Sequence, residues 1–215
     1  MGSAKNESVV IRVIGLVGSL RAKSTTRMAV QYALQAAEQE GAKVEVLDLA
    51  TYNLPFLGRE KEEGNVNCVE RFRADLRAAD GIILGSPEIH GSISGVLKNA
   101  LDLASSKEFE GKMVGLVGVA GGRMGATESL SHLRTIGRSL HAWVVPNQAS
   151  IGDSDEAFDR QGNPIPEIGD RLKSVGRQVA HFARLHKCEN HVQFLKEWVA
   201  APVNDAGVVE RAGPA

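Results

Sequence analysis

Cysteine is scarce in this chain: Cys68 and Cys188 are the only two among 215 residues, and they form no C-x-x-C pair. That excludes a disulfide scaffold and fits a reducing compartment, read here as cytoplasmic. Charge of one sign is missing as well, since 25 Lys and Arg stand against 26 Asp and Glu, for a formal net charge of -1. Neither a duplex-coating protein nor a polybasic membrane binder has that balance, so nucleic acid and membrane are not expected as partners. Long apolar runs are absent too. Val13–Val17 and Met113–Ala120 stop far short of the roughly 18 residues that a membrane span requires. Met1–Ser8 has no apolar signal core, and Asn6 stands where a myristoylation signal after Gly2 wants Ser or Thr. No repeat, low-complexity tract or Gly/Ser/Pro-rich linker divides the chain, so one domain is expected. With 43% apolar residues, a chain of this length buries about 70% of its unfolded surface and needs no structural metal.

Short aliphatic runs alternate with segments of helical period, the pattern of βαβ units around a parallel sheet. The runs are Val9–Val17, Lys43–Leu47, Gly81–Gly85, Met113–Val119 and Trp143–Val145, the last with a possible extension to Ile151. They read as nearly continuous, as strands covered on both faces do. Helical spacing links Met28, Tyr32, Leu34, Ala36 and Ala37 up to Gly41, and again Val69, Phe72, Leu76 and Ala79. Further helices are expected over Gly95–Ala104, Thr127–Leu140 and Glu167 to about His186. Residues 1–189 form the expected α/β domain. In 190–215, Val192, Leu195, Trp198 and Val199 suggest a short docked helix, followed by a loose tail.

In an open parallel sheet the ligand crevice lies at the carboxyl ends of strands, where the winding reverses. The loop after the first strand reads Gly18-Ser19-Leu20-Arg21-Ala22-Lys23-Ser24-Thr25-Thr26-Arg27 and opens into a helix. Hydroxyls, backbone N–H groups and two guanidiniums at the positive end of a helix dipole suit a phosphate dianion. The same residues also fit a plain polar loop in which Ser or Thr caps the helix. A Walker loop ending in Lys23-Ser24 would need glycine where Val17 and Ala22 stand, and Gly15-Leu16-Val17-Gly18 lacks the dinucleotide spacing. The loop after the third strand, Ser86 to Gly95, leads into Val96-Leu97-Lys98-Asn99-Ala100-Leu101-Asp102. In a 2-1-3-4-5 winding it faces the first loop. Gly121-Gly122-Arg123-Met124-Gly125 follows the fourth strand and suits either close approach to a flat ligand or a plain turn.

The Gly-Ser-Leu-Arg-x-x-Ser-x-Thr-Arg loop, the Pro-Glu-x-His-Gly-Ser-x-Ser-Gly-x-Leu-Lys-Asn-Ala-Leu-Asp block and the Gly-Gly-Arg-x-Gly loop occur in this order on these strand ends. Together, from about Ile11 to Leu185, they resemble the flavodoxin-like NAD(P)H-dependent FMN reductase family. The resemblance implies a three-layer α/β fold, with a five-stranded parallel sheet in order 2-1-3-4-5 and helices on both faces. It also implies noncovalent FMN, with the phosphate on Ser19, Arg21, Ser24, Thr25, Thr26 and Arg27. Pro87, Glu88, Ile89, His90, Gly91 and Ser92 would run along the isoalloxazine edge, and Gly121, Gly122 and Arg123 would close the other end. NADPH or NADH would donate hydride, and a small-molecule acceptor such as free flavin or a quinone would take the electrons in ping-pong fashion. No protein residue would act as acid, base or metal ligand.

Family members form dimers or tetramers through the helix matching Val96–Ala104. Here Val96, Leu97, Ala100, Leu101, Leu103 and Ala104 make a wide apolar stripe, which burial within one subunit would also explain. Many relatives carry tyrosine where this chain has Ile89, which can neither stack nor donate a hydrogen bond as a phenol does. His90 either orients a flavin carbonyl or a substrate, or simply holds its own loop. His186, Cys188 and His191 lack a fourth metal ligand, no Gly-x-Ser-x-Gly elbow occurs, and Asp48 reads as a helix or turn contact. The alternatives to a reductase are a flavodoxin-type electron carrier, which tends to be strongly acidic as this chain is not, and a flavin-binding regulatory protein.

Overall fold

The computed structural model describes residues 9–62 and 65–188; the expected C-terminal helix and tail lie outside them. Five parallel strands, β1 (Arg12–Val17), β2 (Lys43–Asp48), β3 (Gly81–Pro87), β4 (Met113–Val119) and β5 (Trp143–Ile151), form one sheet in the order β2-β1-β3-β4-β5. The helices are α1 (Thr25–Gln39), α2 (Asn65–Arg77), α3 (Gly95–Asp102), α4 (Ser106–Phe109), α5 (Thr127–Ser139) and α6 (Pro166–Lys187). The winding expected from the sequence is thus the one observed.

Alternate residues of the inner strands feed two cores. Val13, Val17, Ile83 and Val117 pack with Ala29, Val30 and Ala33 of α1 and with Leu172, Val175 and Val179 of α6. Ile14, Leu16, Ile82, Leu84 and Leu116 face Phe72 and Leu76 of α2, Leu97 and Leu101 of α3, Phe109 of α4, and Leu130 and Leu133 of α5. Both faces are covered, which explains why these strands read as continuous apolar runs. The α1/α6 crossing is close. A Cβ built on Gly176 of α6 would lie 1.9 Å from the carbonyl oxygen of Ala33 on α1, so glycine is required there.

The last strand takes the longer of the two extents read from the sequence, Trp143 to Ile151, and its pairing with β4 slips between Val114 and Leu116, opposite the stretch that holds Pro146. Proline fits because β5 is an edge strand and the register shift frees its position from the ladder. Helix α4 was not anticipated, being too short for any periodicity. Its signal was the Ser105-x-x-Glu108 capping box, which the structure forms: Ser105 N–H and Oγ–H both donate to Glu108 Oε2, at 2.9 and 2.8 Å.

The apolar stripe of α3 is filled within the subunit. Leu97, Ala100, Leu101 and Leu103 are all buried. The segment after β2 lies over this helix, with Asn99 Nδ2 donating to Pro55 O at 3.0 Å and Tyr52 and Leu54 packing onto the same core. Tyr52 is itself fixed by donating to Asp75 Oδ2 at 2.8 Å, and burial, reinforced by that carboxylate, pushes its phenol up to about 12. The width of the stripe therefore does not by itself call for a second subunit.

Candidate functional site

Three loops meet at the carboxyl ends of β1, β3 and β4. The first two are stapled directly: Gly18 N–H donates to Gly85 O at 2.8 Å, and Ser94 Oγ donates to Gly18 O at 2.6 Å. Ser94 also caps α3 by accepting from Leu97 N–H, and its own N–H donates to Ser86 Oγ at 3.0 Å. Beyond this staple the first loop turns into α1, where Ser24 is the N-cap and accepts from Arg27 N–H at 3.1 Å. The first-turn N–H groups of Thr25 and Thr26 have no partners within the helix and carry its positive end. Ser19, Ser24 and Thr26 are buried, whereas Arg21 and Lys23 are exposed.

Arg27 turns the other way. Its Nε donates to Asp48 Oδ2 at 2.7 Å, and Nη1 donates to the carbonyls of Arg21 and Ala22 at 3.0 and 3.2 Å. Of the two guanidiniums that the sequence offered for an anion, only Arg21 faces the cleft.

The second loop is clamped to α5. Glu88 N–H donates to Val119 O at 2.7 Å, and its carboxylate accepts from Ser129 N–H at 3.0 Å. Helix α5 has no side-chain cap of its own at Ala126, so a carboxylate from a different loop caps its first turn. Ile89 and Ser92 exchange backbone hydrogen bonds at 2.8 and 3.1 Å across His90 (φ 50) and Gly91 (φ 71). Positive φ at both central residues is the type I′ arrangement, unusual for histidine and easy for glycine. Ser92 O accepts from Ser129 Oγ at 3.0 Å, and Ser92 Oγ lies 3.0 Å from His132 Nδ1. The His90 side chain is exposed at the tip, and Ile89 keeps 44% of its surface.

In the third loop, Gly122 O accepts from Gly125 N–H at 3.1 Å and from Asp153 N–H at 3.3 Å, tying it to the loop after β5. Arg123 stands out at 92% exposure, with its Nε 3.9 Å from Asp153 Oδ2.

A cavity of about 330 Å3 opens between these loops, within the roughly 300 to 1,000 Å3 span of small-molecule sites. Of the residues singled out from the sequence, Ser19, Arg21, Ser24, Thr25, Thr26, Pro87, Glu88, Ile89 and Gly121 line it. Arg27, His90, Gly91, Ser92, Gly122 and Arg123 do not. Lys23, Val119, Ala120, Ser154 and Asp155 line it as well and were missed. Ser154 and Asp155 follow β5, and the extension of that strand to Ile151 is the signal that places them at a strand end. The ligand-crevice rule applies to that strand end too, and Thr25 Oγ1 reaches Ser154 O at 3.4 Å.

One end of the cavity carries Arg21, Lys23, the hydroxyl residues Ser19, Ser24, Thr25 and Thr26 and the start of α1, and the other is built of backbone and aliphatic groups from Pro87, Ile89, Val119 and Gly121; two carboxylates also line it, Asp155 after Ser154 and Glu88, which accepts from Ser129 N–H. That polarity fits a phosphate joined to a flat, largely apolar ring. Among the described residues no three His, Cys, Asp or Glu side chains gather to hold a metal ion. The family described as NADPH-dependent FMN reductase matches residues 11–156. The chain belongs to that family. It is an oxidoreductase that uses FMN and NADPH. Among curated proteins it is similar to the FMN-dependent NADPH-azoreductase of Staphylococcus aureus, 38% identical over 152 residues, covering 69% of this chain and 80% of that one. Among solved structures it resembles FerB, a flavoenzyme NAD(P)H:(acceptor) oxidoreductase from Paracoccus denitrificans, with TM-score 0.67, 19% identity and coverage of 82% and 99%. A flavodoxin from the domain Archaea gives TM-score 0.59 at 14% identity, with coverage of 81% and 99%. The two structures share the fold with this chain.

Proposed function

We propose that this reductase takes hydride from NADPH and passes electrons to a flat small-molecule acceptor, the two substrates using the same face of the site in turn. Free flavin and quinones suit such a face, and azo compounds join them through the 38% identical azoreductase. The carrying observation is the uneven lining of the cavity: Arg21, Lys23 and the start of α1 stand on one side, and Pro87, Ile89, Val119, Ala120 and Gly121 give an aliphatic and backbone wall, while of the two carboxylates on the lining Glu88 accepts from Ser129 N–H and Asp155 follows Ser154. Arg21 and Lys23 would face the FMN phosphate, with Ser19, Thr25 and Thr26 offering hydroxyls. Pro87 to Ile89 would run along the ring edge and Gly121 would lie at its far end. Bound FMN supplies the two-electron relay, so the chain contributes binding and orientation rather than an acid or base. In keeping with that role, the one carboxylate on the loop beside the ring, Glu88, is engaged with α5.

Donor and acceptor alternate because one open face cannot hold two flat molecules stacked on the same ring. A homo-oligomer through α3 remains part of this reading, but it would use the half-buried Val96 and Ala104 rather than the buried leucines. Free, half-buried Cys68 and Cys188 are in keeping with a reducing cytoplasm, and among the described residues no helix is long and apolar enough to cross a membrane.

The test is anaerobic mixing of the FMN complex with NADPH. Rapid bleaching of the flavin band, followed by recovery when quinone is added, is the expected result. A flavin band that persists in NADPH would overturn the reductase reading in favour of a carrier. Initial-rate lines at several fixed acceptor concentrations should be parallel; intersecting lines would mean that both substrates bind together.

A further inference from the structure

We infer that Arg27, locked by Asp48, is a positioning residue that shapes the phosphate cup without touching the phosphate. The inference rests on the FMN reading of the cavity above. Three hydrogen bonds hold the guanidinium: Nε to Asp48 Oδ2 at 2.7 Å, and Nη1 to Arg21 O and Ala22 O at 3.0 and 3.2 Å. Each side chain of the ion pair keeps only 20% of its surface. Asp48 is fixed in turn, since its Oδ1 accepts from Ala50 N–H at 3.0 Å at the start of the turn that ends β2.

The consequence follows from peptide geometry. In a planar trans peptide the carbonyl and the next N–H point in opposite directions. Drawing the carbonyls of Arg21 and Ala22 toward Arg27 therefore sends the N–H groups of Ala22 and Lys23 to the opposite side. Arg21, Lys23 and Ser24 line the cavity and Arg27 does not, so that opposite side is the cup. Two backbone donors thereby join the start of α1 in facing an anion. A positive charge that Asp48 already neutralises organises the site by geometry, while Arg21 and Lys23 supply the field.

A direct phosphate ligand and a clamp predict effects of opposite sign at Asp48. Were Arg27 a phosphate ligand held back by its partner, Asp48→Asn would free it and tighten FMN. In the clamp, Asp48→Asn weakens FMN, because an amide offers one acceptor oxygen where the carboxylate serves both Arg27 Nε and Ala50 N–H. The experiment titrates the full-length chain with FMN and, in parallel, with riboflavin, which lacks the phosphate, for wild type, Asp48→Asn, Arg27→Met and Arg27→Lys. Arg27→Met should lower FMN affinity by about tenfold or more, the equivalent of one charge-assisted hydrogen bond, and riboflavin affinity by less than about twofold. Arg27→Lys should fall with Arg27→Met, since an ammonium keeps the charge but lacks the planar fork. The salt dependence of FMN binding should stay as in wild type for the Arg27 variants and flatten in Arg21→Ala.

Tighter FMN binding in Asp48→Asn, or wild-type affinity in Arg27→Lys, overturns the clamp while leaving the FMN site intact. Equal affinity of the wild type for FMN and riboflavin overturns the phosphate cup itself, and the clamp with it. Riboflavin binding doubles as the folding control. A variant that loses both ligands alike has lost more than the cup, and that result also counts against a positioning role.

Discussion

Gly176→Ala is the substitution on which local propensity and packing disagree most sharply. In an exposed helix interior, alanine is worth about 0.8 to 1.0 kcal/mol more than glycine, so propensity alone makes this change stabilising. The geometry says otherwise. The new Cβ would stand 1.9 Å from Ala33 O and 2.9 Å from Ala33 C, where real Cβ contacts under 3.0 Å are essentially never seen, and 3.2 Å from Ala36 Cβ. The obstacle is the backbone of α1, which cannot rotate aside, so α6 must retreat by about 1 Å, a strain at or above the roughly 1 to 3 kcal/mol of core overpacking. The net expectation is a loss of about 2 kcal/mol or more, which in a chain of this size lowers the melting temperature by roughly 4 to 8 °C. Gly169→Ala on the same helix is the comparison, because its Cβ would meet Pro164 Cγ at 3.3 Å and Tyr32 Oη at 3.4 Å, contacts that side chains can relax. Thermal melts of the two variants against wild type decide the matter. If Gly176→Ala melts at or above the wild-type temperature, the close crossing of α1 and α6 is not a constraint and the argument fails.

Ile89→Tyr restores a stacking ring at a position that lines the cavity, so the Michaelis constant for NADPH or a quinone should shift by up to about tenfold while the single-turnover rate of flavin bleaching stays within a few-fold. Unchanged kinetics would place residue 89 away from the substrate face. Glu88→Ala removes the side-chain acceptor that caps the first turn of α5 and should cost about 0.5 to 2 kcal/mol in urea unfolding, with Glu88→Gln, which keeps an acceptor, nearer to wild type. For Glu108, burial pushes the carboxyl up, but hydrogen bonds from Ser105 and Arg77 outweigh it and hold the value below the ordinary one. A depressed folded value stabilises the protein fully above the ordinary carboxylate range and is lost as pH falls through the lower folded value, so Glu108→Gln should narrow the stability gap between neutral and acidic pH. A pH–stability profile identical to wild type would refute that. Leu97→Asp should abolish folding rather than yield a folded monomer, because Leu97 is buried within its own subunit; circular dichroism and light scattering distinguish the two outcomes.

The strands and the sheet order were legible because apolar runs and βαβ alternation are local patterns. So was the location of the site, since the rule about strand carboxyl ends needs only the order of elements. What stayed hidden depends on partners distant in sequence. Arg27 reads as an anion ligand until Asp48, 21 residues away, is seen to hold it. Glu88 lines the cavity as its loop suggested, but its second task, accepting from Ser129 N–H to cap α5, depends on a partner 41 residues away. The α3 stripe looks like an interface because periodicity reports that a face is apolar but not what covers it, and here the segment around Tyr52 to Pro55 does so. His90 was ambiguous for a similar reason: nothing local announces that its backbone, rather than its ring, makes the turn.

The sheet also divides the walls of the cavity between two cores. The end of the cavity that holds Arg21 and Lys23 is carried by α1, which grows from the core shared with α6, whereas the loop after β3 is tied to α3 and α5 in the core on the other face. Under the proposed function, holding the cofactor and admitting the acceptor would therefore fall to cores packed on opposite faces of the sheet. On that reading a substitution at Ile89, which lines the cavity from the second face, would alter the acceptor side without repacking α1, whose core lies across the sheet.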